Sequence, residues 1–415
     1  AIEKDELTGL YTRQAFYHHA RTFTHFMTEE KFNVVILDVA DFKLINGTYG
    51  TKKGNEVLVY LSNAFRYYVK NGLLTRYEGD QLLGLFHSKV KMDVERINRN
   101  INKIAEEAPI PNIRIKVGIY EDVDTNLSIP IICDRALMAE KSISKDFKTN
   151  VAFYTDELNQ KQLAQRQMEN DFKSAIANRE FKVYYQPKYD VNTESIVGAE
   201  ALVRWQKTDG TLISPGAFIP LFESDGLVVH LDEYVFESVC QFQKERMENK
   251  LPMVPISVNL SRASIHFSDV VDRYVDIVNQ KQIPFECVPI ELTESATLYS
   301  EKILEITDQL VNAGFTLHMD DFGSGYSSLT SLNELNFSTV KLDKSLIDYI
   351  DQVRGKKIVQ QAIDLGHGLD MKVVAEGVES KEQKDCLKEM HCDMIQGFYY
   401  SKPLKQEDFI EKLRA

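Results

Sequence analysis

Short apolar runs bounded by polar or glycine-rich turns recur along this 415-residue chain, separated by stretches with helical spacing. In the first 155 residues, Phe32-Asn33-Val34-Val35-Ile36-Leu37-Asp38 has the pattern of a buried strand that ends on an acid. Asn55 to Val69 has helical periodicity. Leu73 to Tyr77 and Leu82 to Phe86 predict a hairpin about Glu78-Gly79-Asp80-Gln81. Ile113 to Ile119 predicts a further strand, Pro130 to Ser144 a helix, and Val151 to Tyr154 a closing strand. This mixed order predicts an α/β sandwich built on one sheet.

From Thr155 to about Asn178 the chain is polar, rich in Gln and Glu and free of Gly and Pro, which predicts a helix. Beyond it, strand patterns start near Phe181, Ile196, Ile256, Pro289, Phe315, Thr339, Lys372 and Met394, with helical segments between them. Eight strands in that rhythm fit a (β/α)8 TIM-like barrel better than an open sheet. The expected organisation is an α/β sandwich over 1–155, a linker helix over 156–172 and a barrel over 173–415.

Composition narrows the partners. The formal net charge of −13 disfavours a nucleic-acid polymer, which needs a basic stripe. Five scattered cysteines without a C-x-x-C pair predict a reducing compartment and no thiolate zinc site. No apolar run approaches the roughly 20 residues of a membrane span, so no membrane contact is expected of this segment. The chain opens at Ala1 without an initiator methionine. The expectation is a cytoplasmic protein, or the intracellular part of a longer sensor.

In a barrel of this kind, chemistry sits at the carboxyl ends of the strands. Those ends read Gln186, Glu200, Asn259, Glu291, Asp320 with Asp321, Lys341 with Asp343, Glu376 with Glu379, and Gln396. Oxygen donors of this type suit Mg²⁺ or Mn²⁺. Adjacent ionised carboxylates repel, so Asp320-Asp321 needs a proton or a cation. Successive strand residues face opposite ways, so the pair can share a site only where strand yields to loop, a bend that Gly323 and Gly325 ease. Two divalent cations about 3.5–4 Å apart, bridged by one carboxylate, could activate water against a phosphodiester. Lys341 would orient or deprotonate that water or neutralise phosphoryl charge, and Arg204 could grip a phosphate. His318, on the face of Asp320, is expected to be a hydrogen-bonded histidine of the barrel interior.

Glu200-Ala201-Leu202 with Arg204-Trp205, Ser257-Val258-Asn259-Leu260-Ser261, Glu291-Leu292-Thr293-Glu294-Ser295, Asp320-Asp321-Phe322-Gly323-Ser324-Gly325-Tyr326-Ser327-Ser328-Leu329, Lys341-Leu342-Asp343, Ala375-Glu376-Gly377-Val378-Glu379 and Gln396-Gly397-Phe398 follow one another in order. In these motifs, residues from about 170 to 415 resemble an EAL-type cyclic di-GMP phosphodiesterase. The resemblance implies two divalent cations, Mg²⁺ or Mn²⁺, and opening of cyclic di-GMP to linear pGpG. It implies Glu200, Asn259, Glu291 and Asp320 on one metal, Asp320 and Asp321 on the second, and Glu376, Glu379 and Gln396 completing or orienting these shells. Lys341 would contact the attacking water, and Glu294 would steady the loop after Asp321. Gln186 and Arg204, with Asp343 and Gln396 beside them, would meet the dinucleotide. A homodimer is expected. The rival expectation is a receptor that binds cyclic di-GMP without cutting it and signals through its linker or dimer surface.

The first 155 residues resemble a GGDEF domain, with Leu7-Thr8-Gly9-Leu10 and Phe42-Lys43-Leu44-Ile45-Asn46 in the expected order. The signature loop instead reads Glu78-Gly79-Asp80-Gln81-Leu82. A Glu side chain stands where backbone should approach phosphate. Ala40, Gly47 and Asn55 replace acids of the family, and Val69-Lys70-Asn71-Gly72 stands where an inhibitory Arg-x-x-Asp would precede the loop. No cyclase activity is expected. Asp38, Asn46 and Lys141 are the remnant through which GTP could still bind as a regulator.

Overall fold

The computed structural model describes residues 3–26, 31–87, 91–143, 149–267, 269–297, 301–325 and 329–414. Ser144, the expected end of a helix, and Tyr326-Ser327-Ser328 of the quoted motif lie outside the described residues. The chain forms two compact units, Ala1–Arg166 and Gln167–Ala415.

The first unit is a six-stranded sheet of β1 (Tyr11–Thr12), β2 (Phe32–Val39), β3 (Leu73–Glu78), β4 (Gln81–His87), β5 (Ile115–Tyr120) and β6 (Val151–Phe153), in the order β1-β3-β4-β2-β5-β6. The period of two along β2 explains its two-sided burial. Phe32, Val34 and Ile36 pack with Phe16 and Ala20 of helix Arg13–Phe26 and Ile132 and Ala136 of helix Ile129–Lys141. Val35, Leu37 and Val39 pack with Val57, Leu61 and Phe65 of helix Thr51–Tyr68 and Ile101 and Ile104 of helix Val94–Glu106. The hairpin is tighter than the pattern predicted. Glu78 pairs with Gln81, which leaves only Gly79-Asp80 in the turn, with Gly79 at φ 57°.

The second unit is a closed barrel of β7 (Phe181–Asp190), β8 (Ile196–Gln206), β10 (Ile256–Asn259), β11 (Ile290–Thr293), β12 (Leu317–Phe322), β13 (Thr339–Leu342), β14 (Lys372–Ala375) and β15 (Met394–Ile395). The two-residue strand β9 (Leu212–Ile213) extends β8 outside the ring. Closure runs through the parallel pairing of β8 with β10. All eight strands fall where the apolar pattern places them, but one runs the other way. β7 is antiparallel to both β8 and β15. Gln186 is therefore not at a carboxyl strand end, as the pattern implied, but inside β7 opposite Glu200, which likewise lies within β8 and not at its end because that strand runs on to Gln206. Hydrophobic period two does not encode strand direction, so the sequence pattern is blind to this reversal.

Helix Asp156–Ala177 spans the boundary between the units. Its second half buries Phe172 and Ala175, and the Phe172 ring meets Phe222 at 4.9 Å and Phe181 at 5.8 Å between centroids. All five cysteines are free. Among the described residues no helix is long and apolar enough to cross a membrane.

Candidate active site

Parallel strands in register stack inward-facing side chains into layers. Glu200 stands on β8 beside Ser257 of β10, Asn259 beside Glu291 of β11, and Asp320 of β12 beside Thr293. Glu376 and Gln396 directly follow β14 and β15. The four carboxylates among them converge on one side chain. The Lys341 ammonium, fully buried, lies 3.0 Å from Glu200 Oε2, 2.8 Å from Glu291 Oε2, 2.9 Å from Asp320 Oδ1 and 2.7 Å from Glu376 Oε1. Burial alone would push this ammonium towards neutrality, but Asp320, Glu200, Glu291 and Glu376 override it and hold its pKa well above the usual lysine value.

The carboxylates remain under-neutralised. Burial, opposed by Lys341 and reinforced by Glu291, Glu200 and Asp321, pushes Asp320 up to about 7. Burial, with Asp320 and Glu200 nearby, pushes Glu376 up to about 8. Asp321 is raised by burial and by Asp343. Glu291 moves in the opposite sense, because Lys188 and Lys341 overcome its burial. One carboxylate oxygen each from Glu200, Glu291 and Asp320 lies within 4.8 Å of the others, as does one each from Asp320, Asp321 and Glu376. Two overlapping sets of hard oxygen donors sharing Asp320 fit a divalent cation such as Mg²⁺ or Mn²⁺ in chemistry and in unmet charge.

The adjacent aspartates share the site by a route other than the expected one. β12 continues through both and ends at Phe322, so strand does not yield to loop before them. Instead Asp321 itself adopts φ 57°, and the pairing with β13 slips between Met319 and Phe322. Asp tolerates the left-handed region better than most residues, so the bulge turns its carboxylate to the side of Asp320. Gly323 follows at φ 94°, where a Cβ would come 2.5 Å from Leu346 Cδ1.

Other expected residues take varied places. Asn259 Nδ2 donates to Glu200 Oε1 at 2.9 Å, and Gln396 Nε2 donates to Glu200 Oε2 at 2.7 Å and to Gln186 Oε1 at 3.0 Å. Gln186 is buried and donates to the Ser401 carbonyl, so it braces Gln396. Buried Glu294 accepts from the Gly323 N–H at 3.3 Å and holds the turn after Asp321. Asp343 caps the short helix Lys344–Ile347. Glu379 is exposed and paired with Lys344 at 3.1 Å. Arg204 stacks 5.5 Å over the Tyr184 ring and donates to the Val203 carbonyl. It lines a cleft of about 650 Å³ with Asn259, Glu223, Asp232, His266 and Thr293.

The sequence pattern missed Lys188. On β7, Lys188 lies two residues from Gln186 and so on the same face, the one signal that could have found it. Its ammonium meets Glu291 Oε1 at 2.7 Å and Ser257 Oγ at 2.8 Å. His318, the expected interior histidine, approaches the same Glu291 oxygen at 3.4 Å, and burial lowers its pKa.

In the first unit Asp38 lies 3.6 Å from Lys116, which also pairs with Glu140 at 2.6 Å. Burial, then Asp80 and Glu140, pushes Asp38 up to about 8. Asn46 turns Oδ1 against the helix, 1.9 Å from where a Cβ on Gly54 would stand. Lys141 is exposed at the end of helix Ile129–Lys141.

Comparison with known proteins gives a consistent picture. The profile described as EAL domain matches residues 169–403, and that described as diguanylate cyclase, GGDEF domain, matches residues 2–143. The signaling protein YkoW of Bacillus subtilis (strain 168) is 29% identical over 98% of this chain and 52% of its own length. The cyclic di-GMP phosphodiesterase NbdA of Pseudomonas aeruginosa is 27% identical over 99% of this chain and 54% of its own. The chain thus spans about half the length of these curated relatives. Among solved structures, that of the PaMucR phosphodiesterase in complex with c-di-GMP is 32% identical, with a TM-score of 0.56 over 59% of this chain and 99% of that one.

Proposed function

The chain belongs to the EAL domain family, with a GGDEF domain in tandem before it, and from this premise we propose that it hydrolyses cyclic di-GMP to linear pGpG. The observation that carries the reading is the convergence of Glu200, Glu291, Asp320 and Glu376 on buried Lys341, with Asp321 turned in beside them. Glu200, Asn259, Glu291 and Asp320 would hold one cation, and Asp320, Asp321 and Glu376 the other. When bound, a pair of Mg²⁺ or Mn²⁺ ions supplies a water of lowered pKa and charge stabilisation at the phosphorus.

The chain's own side chains do the remainder. Asn259 and Gln396 fix the two Glu200 oxygens by donating to each. Lys341 keeps a proton donor and a positive charge at the centre of the cluster, where a phosphoryl oxygen or the attacking water would lie. Arg204, in the adjoining cleft, supplies a planar fork for the second phosphate or stacks on a base. Glu294 ties the turn at Gly323 so that Asp321 keeps its unusual backbone angle. The first unit acts as a regulator without cyclase activity. Its loop offers Glu78 in place of a glycine, and Asp38 is engaged by Lys116.

Product chromatography after incubation with cyclic di-GMP and Mn²⁺ tests the proposal. pGpG should accumulate, EDTA should abolish it, and Glu200→Ala should reduce it at least about a hundredfold. Intact cyclic di-GMP after incubation of the wild-type protein with Mn²⁺ would refute it.

A further inference from the structure

We infer that Lys188 is a positioning residue for the proposed metal site: it holds Glu291 from below so that only one carboxylate oxygen faces the cations. The inference rests on the reading of Glu291 as a metal ligand. Its support is the division of labour at that carboxylate. Oε1 receives Lys188 at 2.7 Å and His318 at 3.4 Å, whereas Oε2 receives Lys341 at 2.8 Å. Glu291 is 0% exposed, so losing a partner on Oε1 leaves a buried acceptor to be satisfied anew and the carboxylate less firmly held.

Lys188 is itself fixed. It is 3% exposed and sits opposite Gly198 on β8, one inward-facing layer deeper than Gln186, which sits opposite Glu200. Ser257 Oγ donates to the Ala199 carbonyl at 3.2 Å, which turns a lone pair towards the Lys188 ammonium. Residues two apart on β7 face the same way, so this one strand serves both layers, with Gln186 bracing Gln396 above and Lys188 bracing Glu291 below. A cavity of about 450 Å³, lined by Lys188, Ser257, His318 and Lys372, borders this lower layer and leaves room for an uncharged side chain at 188.

Outer partners of this kind change metal affinity about 10–100-fold when removed. The test is Mn²⁺ titration of the full chain without substrate, by calorimetry or by loss of the free-ion resonance signal, for wild type, Lys188→Met, Glu291→Gln and the double variant. Lys188→Met should weaken Mn²⁺ binding about tenfold or more, and should add nothing in the Glu291→Gln background. Ser257→Ala, which frees only one tether, should weaken it less. If Lys188→Met does not fold, Lys188→Gln keeps a shorter donor and should fall between wild type and Glu291→Gln. Unchanged Mn²⁺ affinity in folded Lys188 variants, with Glu291→Gln weakened, overturns the inference and leaves the metal reading standing. Wild-type affinity in Glu291→Gln itself defeats the metal reading, and the inference with it.

Discussion

At the scale of single residues, the site is a problem of charge compensation. Lys341 offsets four carboxylates at once, and removing one member of such a buried set leaves uncompensated charge at a cost of about 3–5 kcal/mol. Lys341→Met should therefore melt well below wild type in EDTA, and Mn²⁺ should recover more stability in the variant than in wild type. Scanning calorimetry with and without metal checks this. Asp38 offers a separate pH prediction. Its folded pKa of about 8 lies above the ordinary aspartate value of 3.8, so the folded chain holds a proton there that the unfolded chain has released. Stability from this group is lost as pH rises from about 4 to 8. Asp38→Asn should raise the melting temperature more at pH 8.5 than at pH 5, and an equal gain at both values would contradict the assignment. Glu200, Asn259, Glu291 and Asp320 were legible in the sequence because each sets a polar oxygen donor directly after apolar strand residues. Lys188 was not, because a lysine within a strand ordinarily points to solvent and nothing local marks the exception.

At the scale of elements, apolar periodicity located all eight barrel strands but not the geometry that makes Asp320-Asp321 useful. That geometry lies in a left-handed residue and a slipped register inside β12, features set by tertiary packing. Gly323→Ala tests how tightly the turn is built. A Cβ there meets Leu346 and a positive φ, a strain of about 1–3 kcal/mol, and the displacement should strain the Gly323 N–H bond to Glu294 and reach Asp321 two residues back along the chain. Lower thermal stability together with weaker Mn²⁺ binding is expected; loss of stability alone would uncouple the turn from the site. Helices Arg13–Phe26 and Val94–Glu106 were missed for a plainer reason. The first is crowded with aromatic, His and Thr residues and the second with Asn98, Asn100 and Asn102, all weak helix formers. Burial of Phe16 and Ala20, and of Ile101 and Ile104, supplies what propensity does not.

At the scale of the whole molecule, two units with separate cores should melt as two transitions, and only one of them should respond to metal. Free Mn²⁺ at about a hundred times its Kd stabilises the binding unit by about 2.7 kcal/mol. Scanning calorimetry should show one transition rising with Mn²⁺ while the other stays fixed, and the rise should vanish in Asp320→Asn. A uniform rise of both would mean the units unfold as one. The two-part division was legible from the change in strand rhythm near residue 180, whereas the direction of β7 was not. That reversal has a mechanical consequence. Had every stave of the barrel pointed the same way, the polypeptide would come in through the floor. Because the first stave is inverted, it comes in over the working rim, at Phe181 beside Trp205. A tug on the incoming strand would therefore reach Gln186, and through Gln396 the grip on Glu200, after only five residues.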